Sequence, residues 1–313
     1  MIRVAAIGEC MLELVRRDDA SFTLGFGGDT LNTAIYLARA ASARPDLSVD
    51  YVTALGNDPM SEEMLSAWRA EGVGTGCVAR LAGRLPGLYL IRTDAEGERR
   101  FFYWRREAAV RSLFMSGETE ALLASLGDYD LLYFSGITLA VLTPEARLDM
   151  LHALEAARQK GRRIAFDSNY RPVLWPDAAA AREVMAAFLP VTSIALPTFD
   201  DERALHGDAD PAATAARYAG AGVQEVVVKR GAEGCLVLAD GNRHSVPAAV
   251  RRTPVDTTAA GDAFNAGYLA ARLARAPPER AARAGAALAG AVIGHRGAII
   301  PRDATPSLRE FLE

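Results

Sequence analysis

The run P-V-D-T-T-A-A-G-D-A-F-N-A-G-Y-L, residues 254–269, holds the residues of this 313-residue chain that are best suited to chemistry. Three small residues, Ala259, Ala260 and Gly261, come directly before Asp262, and the residues that follow can form a tightly packed helix. Small residues let the free N–H groups at a helix start approach a ligand, and together with the helix dipole these groups form an anion site. A phosphoryl group in transfer is an anion that fits there.

Asp262 lies in the first turn of this predicted helix, where the helix dipole favours its ionised form. We therefore expect a carboxylate at neutral pH, which can accept the proton of an alcohol that attacks the phosphoryl group. An acid here could simply cap the helix, but a cap needs neither the two threonines nor the three small residues beside it. The run predicts a phosphotransferase with Asp262 as its base and an anion hole at residues 259–261.

Other phosphate-binding patterns are missing from the sequence. No G-x-x-x-x-G-K-[ST] occurs, since Lys160 is followed by Gly161 and Lys229 by Arg230. The glycines between Gly72 and Gly76 follow a helix-like segment rather than the first strand, which disfavours dinucleotide binding.

Composition excludes several other classes of protein. A formal net charge of -4 offers no field for polyanions, so we expect no nucleic-acid partner. The three cysteines form no C-x-x-C pair and the four histidines have no metal-ligand spacing, which argues against structural zinc or disulfides. Glu9 and Glu13 interrupt the apolar start and no apolar run reaches the ~20 residues that cross a bilayer. We expect a cytoplasmic protein without a membrane partner.

The elements that must position these residues alternate from about residue 110 onward, as in βαβ units. Predicted strands are Tyr129–Phe134, Arg163–Phe166, Ser193–Leu196 and Glu225–Lys229, and predicted helices are Thr143–Gln159, Ala178–Phe188 and Pro211–Ala221. Cys235–Val246 should form a hairpin, because Asp240-Gly241 suits a type I′ turn. The pattern predicts a mainly parallel sheet with helices on both faces.

The segment Pro86–Arg106 departs from that rhythm, because it alternates apolar and polar residues around an Asp-x-x-Gly turn at 94–97. It predicts an antiparallel hairpin that must bury one face against the body of the protein or against another subunit. No linker separates independent domains, so residues 1–313 are expected to form a single domain.

Two motifs carry a specific resemblance. Residues 256–262 resemble the D-T-x-G-A-G-D signature of the ribokinase-like carbohydrate kinases, the PfkB family, with Ala259 in place of a frequent glycine. Residues 26–34, F-G-G-D-T-L-N-T-A, resemble the family's other signature, in which Gly27, Gly28 and Asn32 would meet sugar hydroxyls. The resemblance implies an α/β, ribokinase-like three-layer sandwich with a small β-lid built from about residues 10–26 and 86–106. It also implies ATP, Mg²⁺ and a homo-oligomer formed through the lid.

The nucleotide site follows from the same resemblance. Residues 226–235, V-V-V-K-R-G-A-E-G-C, would run along the ATP phosphates, with Lys229 or Arg230 available to pair charge. Many relatives place N-x-x-E where this chain has Thr198 and Asp201, so the carboxylate that orders Mg²⁺ stays open. The residues implied to bind ATP are Asn169, Thr198, Lys229, Gly231, Gly234, Thr258, Ala259 and Gly261.

Residues 27–33, 101–105 and 166–175 resemble the branch of the family that phosphorylates 2-keto-3-deoxygluconate at its C6 hydroxyl. A neutral sugar needs no arginine, whereas a 2-keto acid carries a carboxylate that Arg105 and Arg171 could bind through charge-assisted hydrogen bonds. The implied substrate contacts are Gly28, Asp29, Asn32, Tyr89, Tyr103, Arg105, Arg171 and Asp262. Two alternatives stay open: a kinase of the same fold for a neutral substrate such as fructose, ribose or a nucleoside, and a catalytically silent sugar-acid-binding protein.

Overall fold

The structure is a computed structural model that describes residues 1–17, 21–41, 44, 46–93, 99–115, 117–249 and 253–312. The strands are β1 (Ile2–Ile7), β2 (Met11–Arg16), β3 (Phe22–Gly27), β4 (Leu47–Gly56), β5 (Val78–Leu81), β6 (Gly87–Thr93), β7 (Arg99–Trp104), β8 (Leu131–Ser135), β9 (Arg163–Asp167), β10 (Ile194–Ala195), β11 (Glu225–Lys229), β12 (Cys235–Ala239) and β13 (Asn242–Val246). The helices are α1 (Asp29–Ala41), α2 (Pro59–Ala70), α3 (Gly117–Ser125), α4 (Gly136–Val141), α5 (Pro144–Gln159), α6 (Ala178–Phe188), α7 (Phe199–His206), α8 (Pro211–Gly220), α9 (Ala260–Leu273), α10 (Pro278–Val292) and α11 (Arg309–Leu312).

The main sheet has nine strands in the order β13-β12-β11-β10-β9-β8-β1-β4-β5. Its pairings are parallel except at β11–β12 and β12–β13, and the β12–β13 pair is the hairpin predicted at 235–246. Asp240 and Gly241 both have positive φ, 52° and 75°, as a type I′ turn requires. The predicted mainly parallel sheet is confirmed, and the helix at 178–188 and the strand at 225–229 have their predicted bounds.

Helices cover both faces of this sheet because its strands are apolar on both sides. In β1, Val4 and Ala6 face one buried cluster while Ala5 and Ile7 face another. The first cluster packs under α1, α2, α9 and α10, and the second under α5, α6 and α8. The result is the three-layer arrangement expected from the sequence.

A second, small sheet has the order β3-β2-β6-β7, with β2 and β6 parallel and the outer pairs antiparallel. The predicted hairpin within 86–106 is β6–β7; its turn, residues 94–97, lies outside the described residues. One face of the small sheet carries Met11, Tyr89 and Tyr103, which line a cavity. The opposite face, called the outer face below, exposes Phe22, Leu24, Phe102 and Trp104, with Arg16, Arg92 and Arg100 at the far ends of its strands.

Candidate active site

The candidate active site is a cavity of about 340 Å³ between the small sheet and the carboxyl ends of the main-sheet strands. Ligands of open α/β sheets bind at this edge, where β9, β10 and β11 end and the loops after them begin. The cavity is lined by Met11, Gly27, Gly28, Asp29, Asn32, Tyr89, Phe101, Tyr103, Ile137, Asp167, Asn169, Arg171, Thr198, Asp201, Lys229, residues 257–262 and Ala298. Segments far apart in the sequence therefore meet in one place.

Asp262 lies in the first turn of α9, as predicted, and reaches the N-terminal part of α1. Asn32 donates from Nδ2 to Asp262 Oδ2 at 2.8 Å, and Thr33 Oγ1 donates to the Asp262 main-chain carbonyl at 3.2 Å. Burial, followed by the nearby Asp29 carboxylate, raises the pKa of Asp262 to about 8 despite the Asn32 hydrogen bond. The expectation that Asp262 is ionised at neutral pH is therefore wrong for the site without ligands. Burial and the neighbouring carboxylates raise its pKa by more than the helix dipole lowers it.

The residues before α9 form a loop with an unusual backbone. Ala259 is left-handed, with φ 59° and ψ 14°, a conformation that costs a residue with a Cβ about 1–2 kcal/mol. The Ala260 N–H donates to the Thr257 carbonyl at 3.2 Å, whereas no backbone acceptor in the described part of the chain pairs with the N–H of Gly261 or Asp262. The Ala259 N–H likewise has no backbone acceptor among these residues, so two of the three predicted anion-hole donors, those of Ala259 and Gly261, are available to a ligand.

The buried carboxylate of Asp256 holds this loop in place through hydrogen bonds. Asp256 Oδ1 accepts hydrogen bonds from Thr258 N at 3.0 Å and Thr258 Oγ1 at 2.7 Å, and its Oδ2 accepts one from Gly297 N at 2.9 Å. Thr258, expected to bind ATP, thus has its hydroxyl engaged with Asp256 and helps to hold the loop.

Lys229 lies under the same loop, at the end of β11. Its Nζ donates to Asp167 Oδ2 at 2.7 Å and to Asn265 Oδ1 at 3.0 Å, and a Cβ built on Gly261 would lie 3.6 Å from it. Asn265 Nδ2 also donates to Asp167 Oδ2 at 2.6 Å. Sequence reasoning missed both Asp167 and Asn265, although Asp167 ends a strand and Asn265 lies three residues after Asp262.

The glycines of the motif at 26–34 let the start of α1 pack against the connection between β1 and β2. A Cβ on Gly28 would lie 2.2 Å from the main-chain oxygen of Glu9, so only glycine fits without backbone movement. Asp29 accepts a hydrogen bond from Asn169 Nδ2 at 2.7 Å. Burial raises the pKa of Asp29, opposed by hydrogen bonds from Ser135 and Asn169. Asn169, assigned to ATP from the sequence, thus lies beside a predicted sugar contact.

The aromatic and arginine residues expected at the substrate differ in their placement. Tyr89 and Tyr103 line the cavity, and the Tyr89 hydroxyl donates to Glu13, so its oxygen remains free to accept from a substrate hydroxyl. Arg171 also lines the cavity and lies 3.3 Å from Asp201 Oδ2. Arg105 is not among the lining residues, and its guanidinium is paired with the buried Glu9.

The remaining predicted ATP residues follow β10 and β11. Thr198 lines the cavity just before α7. Gly231 and Gly234 lie outside the set of described lining residues. A Cβ on Gly234 would lie 2.0 Å from the Val246 carbonyl, so this glycine lets the β12–β13 hairpin pack closely.

Comparisons with known proteins agree with this geometry. The family model described as "pfkB family carbohydrate kinase" matches residues 1–305. The chain is 48% identical over 308 residues to a 2-dehydro-3-deoxygluconokinase of Escherichia coli K12, covering 97% of this chain and 99% of that one. It is 47% identical to the protein of the same name from Dickeya dadantii, covering 97% and 98%.

Solved structures share the fold. The PfkB protein from Polaromonas sp. JS666 superposes with a TM-score of 0.80 at 28% identity, covering 94% of this chain and 97% of that one. Ribokinase II of E. coli in complex with ATP and Mg²⁺ gives a TM-score of 0.83 at 22% identity, covering 99% and 98%, which shows the fold alone. No helix in the described residues is long and apolar enough to cross a membrane. The chain belongs to the pfkB family of carbohydrate kinases.

Proposed function

We propose that this protein transfers the γ-phosphoryl group of ATP to the C6 hydroxyl of 2-keto-3-deoxygluconate, also called 2-dehydro-3-deoxygluconate. The observation that carries the proposal is that Asp262, the loop at 257–261 and Arg171 line one cavity. A base, an anion site and a cation for a carboxylate are what a sugar-acid kinase needs. The near-complete match to relatives named for this reaction supports the same substrate.

Asp262 would act as the base at the acceptor end. As the substrate oxygen attacks the γ-phosphorus, its proton moves to the Asp262 carboxylate, the new O–P bond forms and the bond to the bridging oxygen of ADP breaks. The N–H groups of Ala259, Gly261 and Asp262, which have no backbone acceptor among the described residues, would bind the migrating group, and the Lys229 ammonium near Gly261 would add positive charge. Closure of the small sheet over the substrate would exclude water, which otherwise competes as acceptor.

ATP is the phosphoryl donor in this proposal, and its phosphates would run from Lys229 toward Thr198. Mg²⁺ would neutralise charge on the β- and γ-phosphates. The described residues contain no cluster of three or more His, Cys, Asp or Glu side chains that could hold a metal, so the ion would arrive with ATP and its waters. Asp201 and Asp167, both in the cavity wall, are the carboxylates available to order such waters.

The experiment is ATP turnover, followed as ADP release, with 2-keto-3-deoxygluconate, fructose and ribose. We expect turnover with the acid to exceed turnover with either neutral sugar by at least about a hundredfold in kcat/KM. Asp262→Asn should reduce kcat by several orders of magnitude while ATP still binds. Arg171→Ala should raise KM for the acid far more than for the analogue in which the carboxylate is reduced to an alcohol. Preferred turnover of fructose would replace the proposal with the neutral-sugar alternative, to which 25% identity with a Vibrio alginolyticus fructokinase points.

We also propose that two copies pair through the outer face of the small sheet. Trp104 is 59% exposed and Phe22 51% exposed on this face, and exposed apolar patches are typical of interaction sites. Trp104→Glu should convert a dimer to a monomer in light scattering. The control is Val173→Glu, since Val173 is exposed on a different segment. A monomeric parent protein, or a dimer unaffected by Trp104→Glu, would contradict this assembly.

A further inference from the structure

A buried ion pair joins the small sheet to the body of the protein. Glu9 lies between β1 and β2, where the chain enters the small sheet, and Arg105 follows β7, where the chain leaves it. Arg105 Nη2 donates to Glu9 Oε2, and the two side chains are 12% and 1% exposed. The pair therefore connects two crossings of the chain between the sheets.

Packing alone does not explain a carboxylate at position 9. Burial raises the pKa of Glu9, and the Arg105 charge opposes that rise. Its second oxygen, Oε1, is buried without a hydrogen-bond partner among the described residues. Buried ion pairs are often no more stable than apolar residues of the same volume, so a half-satisfied one points to a role beyond stability.

Arg105 connects this pair to the cavity wall. Its guanidinium carbon lies 5.9 Å from the centroid of the Tyr103 ring, and Tyr103 lines the cavity. Burial raises the pKa of Tyr103, while the charges of Arg105 and Arg171 both lower it, which places both cations near this ring. Glu9, Arg105 and Tyr103 thus form a continuous path from the body of the protein to the substrate side of the small sheet.

We infer that Glu9 is a positioning residue for Arg105: it holds one edge of the guanidinium so that the remaining N–H groups meet the carboxylate of the substrate when the small sheet closes. This inference rests on the proposed sugar-acid substrate. Glu9 itself does not touch the substrate. It would limit Arg105, which has a long side chain at a strand end, to the geometry that binds a carboxylate through two hydrogen bonds.

The test is Glu9→Gln, which keeps the size of the side chain and removes its charge. We expect KM for the sugar acid to rise about tenfold, with kcat and with KM for the reduced, neutral analogue changed less than about threefold. Glu62→Gln is the matched control, because it breaks the exposed Arg80–Glu62 ion pair outside the set of lining residues and should leave both KM values unchanged. Equal increases for acid and neutral substrates would overturn the inference.

A second arm tests whether Glu9 acts through Arg105. In an Arg105→Met background, Glu9→Gln should cause no further change in the ratio of the two KM values. A full effect in that background would mean that Glu9 acts by another route and would refute the inference. If thermal melting shows that Glu9→Gln is unfolded, Glu9→Asp replaces it: the shorter side chain should raise KM for the acid severalfold, and an unchanged KM would count against the inference.

These measurements also distinguish a failure of this inference from a failure of the proposed function. If the parent enzyme does not turn over the sugar acid, or if Arg105→Met and Arg171→Ala both leave the acid-to-neutral ratio unchanged, the proposed substrate is wrong. If Arg105→Met changes the ratio and Glu9→Gln does not, only the role of Glu9 is wrong.

Discussion

Replacing Asn32 with alanine should move the pH dependence of phosphoryl transfer to higher pH. Asn32 Nδ2 donates to Asp262 Oδ2 at 2.8 Å, which favours the ionised form of a carboxyl group whose pKa is already raised to about 8 by burial and by Asp29. Without this donor the carboxylate loses its stabilising partner while burial remains. The pKa of Asp262 should therefore rise further.

The size of the shift follows from the strength of the hydrogen bond. Hydrogen bonds to charged groups contribute about 1.5–3 kcal/mol, and one pKa unit corresponds to about 1.4 kcal/mol, so the pKa should rise by about one to two units. A base must be deprotonated, so kcat/KM of the parent enzyme should rise about tenfold per pH unit and level off above about 8. At pH 7, the Asn32→Ala variant should be at least about tenfold slower than the parent, and near pH 10 most of that loss should disappear.

The assay is kcat/KM between pH 5.5 and 10 from direct measurement of ADP, which avoids coupling enzymes that have pH profiles of their own. Thr33→Val is the matched control, because the Thr33 hydroxyl donates to the main-chain carbonyl of Asp262 and not to its carboxylate. This control should keep the inflection of the parent. A flat parent profile between pH 6 and 8, or the same inflection in Asn32→Ala and the parent, would refute the assignment of Asp262 as a base with a raised pKa.

Two further predictions concern Ala259 and Gly28, one in each of the two motifs. Ala259→Gly should relieve the left-handed strain at φ 59°, about 1–2 kcal/mol, but glycine also costs about 0.4–1 kcal/mol through the unfolded state. A net gain of up to about 1.6 kcal/mol should therefore appear in urea unfolding, and a loss of stability would show that this backbone is unstrained. Gly28→Ala should cost about 1–3 kcal/mol in the same assay and raise the substrate KM, because the new Cβ would meet the Glu9 carbonyl oxygen. Unchanged stability and KM would show that the two segments move apart freely.

Local signals in the sequence were sufficient for much of the α/β region. The run Glu225–Lys229 is a buried strand with the predicted bounds, and the Asp240-Gly241 turn could be predicted because few dipeptides accept two positive φ values. The strand predicted at 193–196 was longer than β10, which spans only Ile194–Ala195. Apolar content predicts burial there, but the extent of pairing depends on neighbouring strands.

The electrostatic state of the site could not be read from any one segment. The helix dipole at Asp262 is a local property, whereas the opposing charges come from Asp29 and Asp167, more than 90 residues away in sequence. The hydrogen bond between Asn32 and Asp262 and the pairing of Arg105 with Glu9 could not be predicted for the same reason, since the partners are far apart in the sequence. Each needs the order of the strands in the sheets, which single-sequence patterns do not contain.

The distribution of charge in the cavity also limits how a sugar acid can bind. The Asp29 and Asp167 carboxylates raise the pKa of Asp262 at one end of the cavity, so they would also repel a substrate carboxylate placed beside it. Arg171 and Arg105 both act on Tyr103 at the small sheet, where a carboxylate would find cations. Repulsion at one end and attraction at the other favour a single orientation, with the acid at the small sheet and the distal hydroxyl at Asp262. That orientation selects the C6 end of the substrate for phosphorylation, because it is the end that the base can reach.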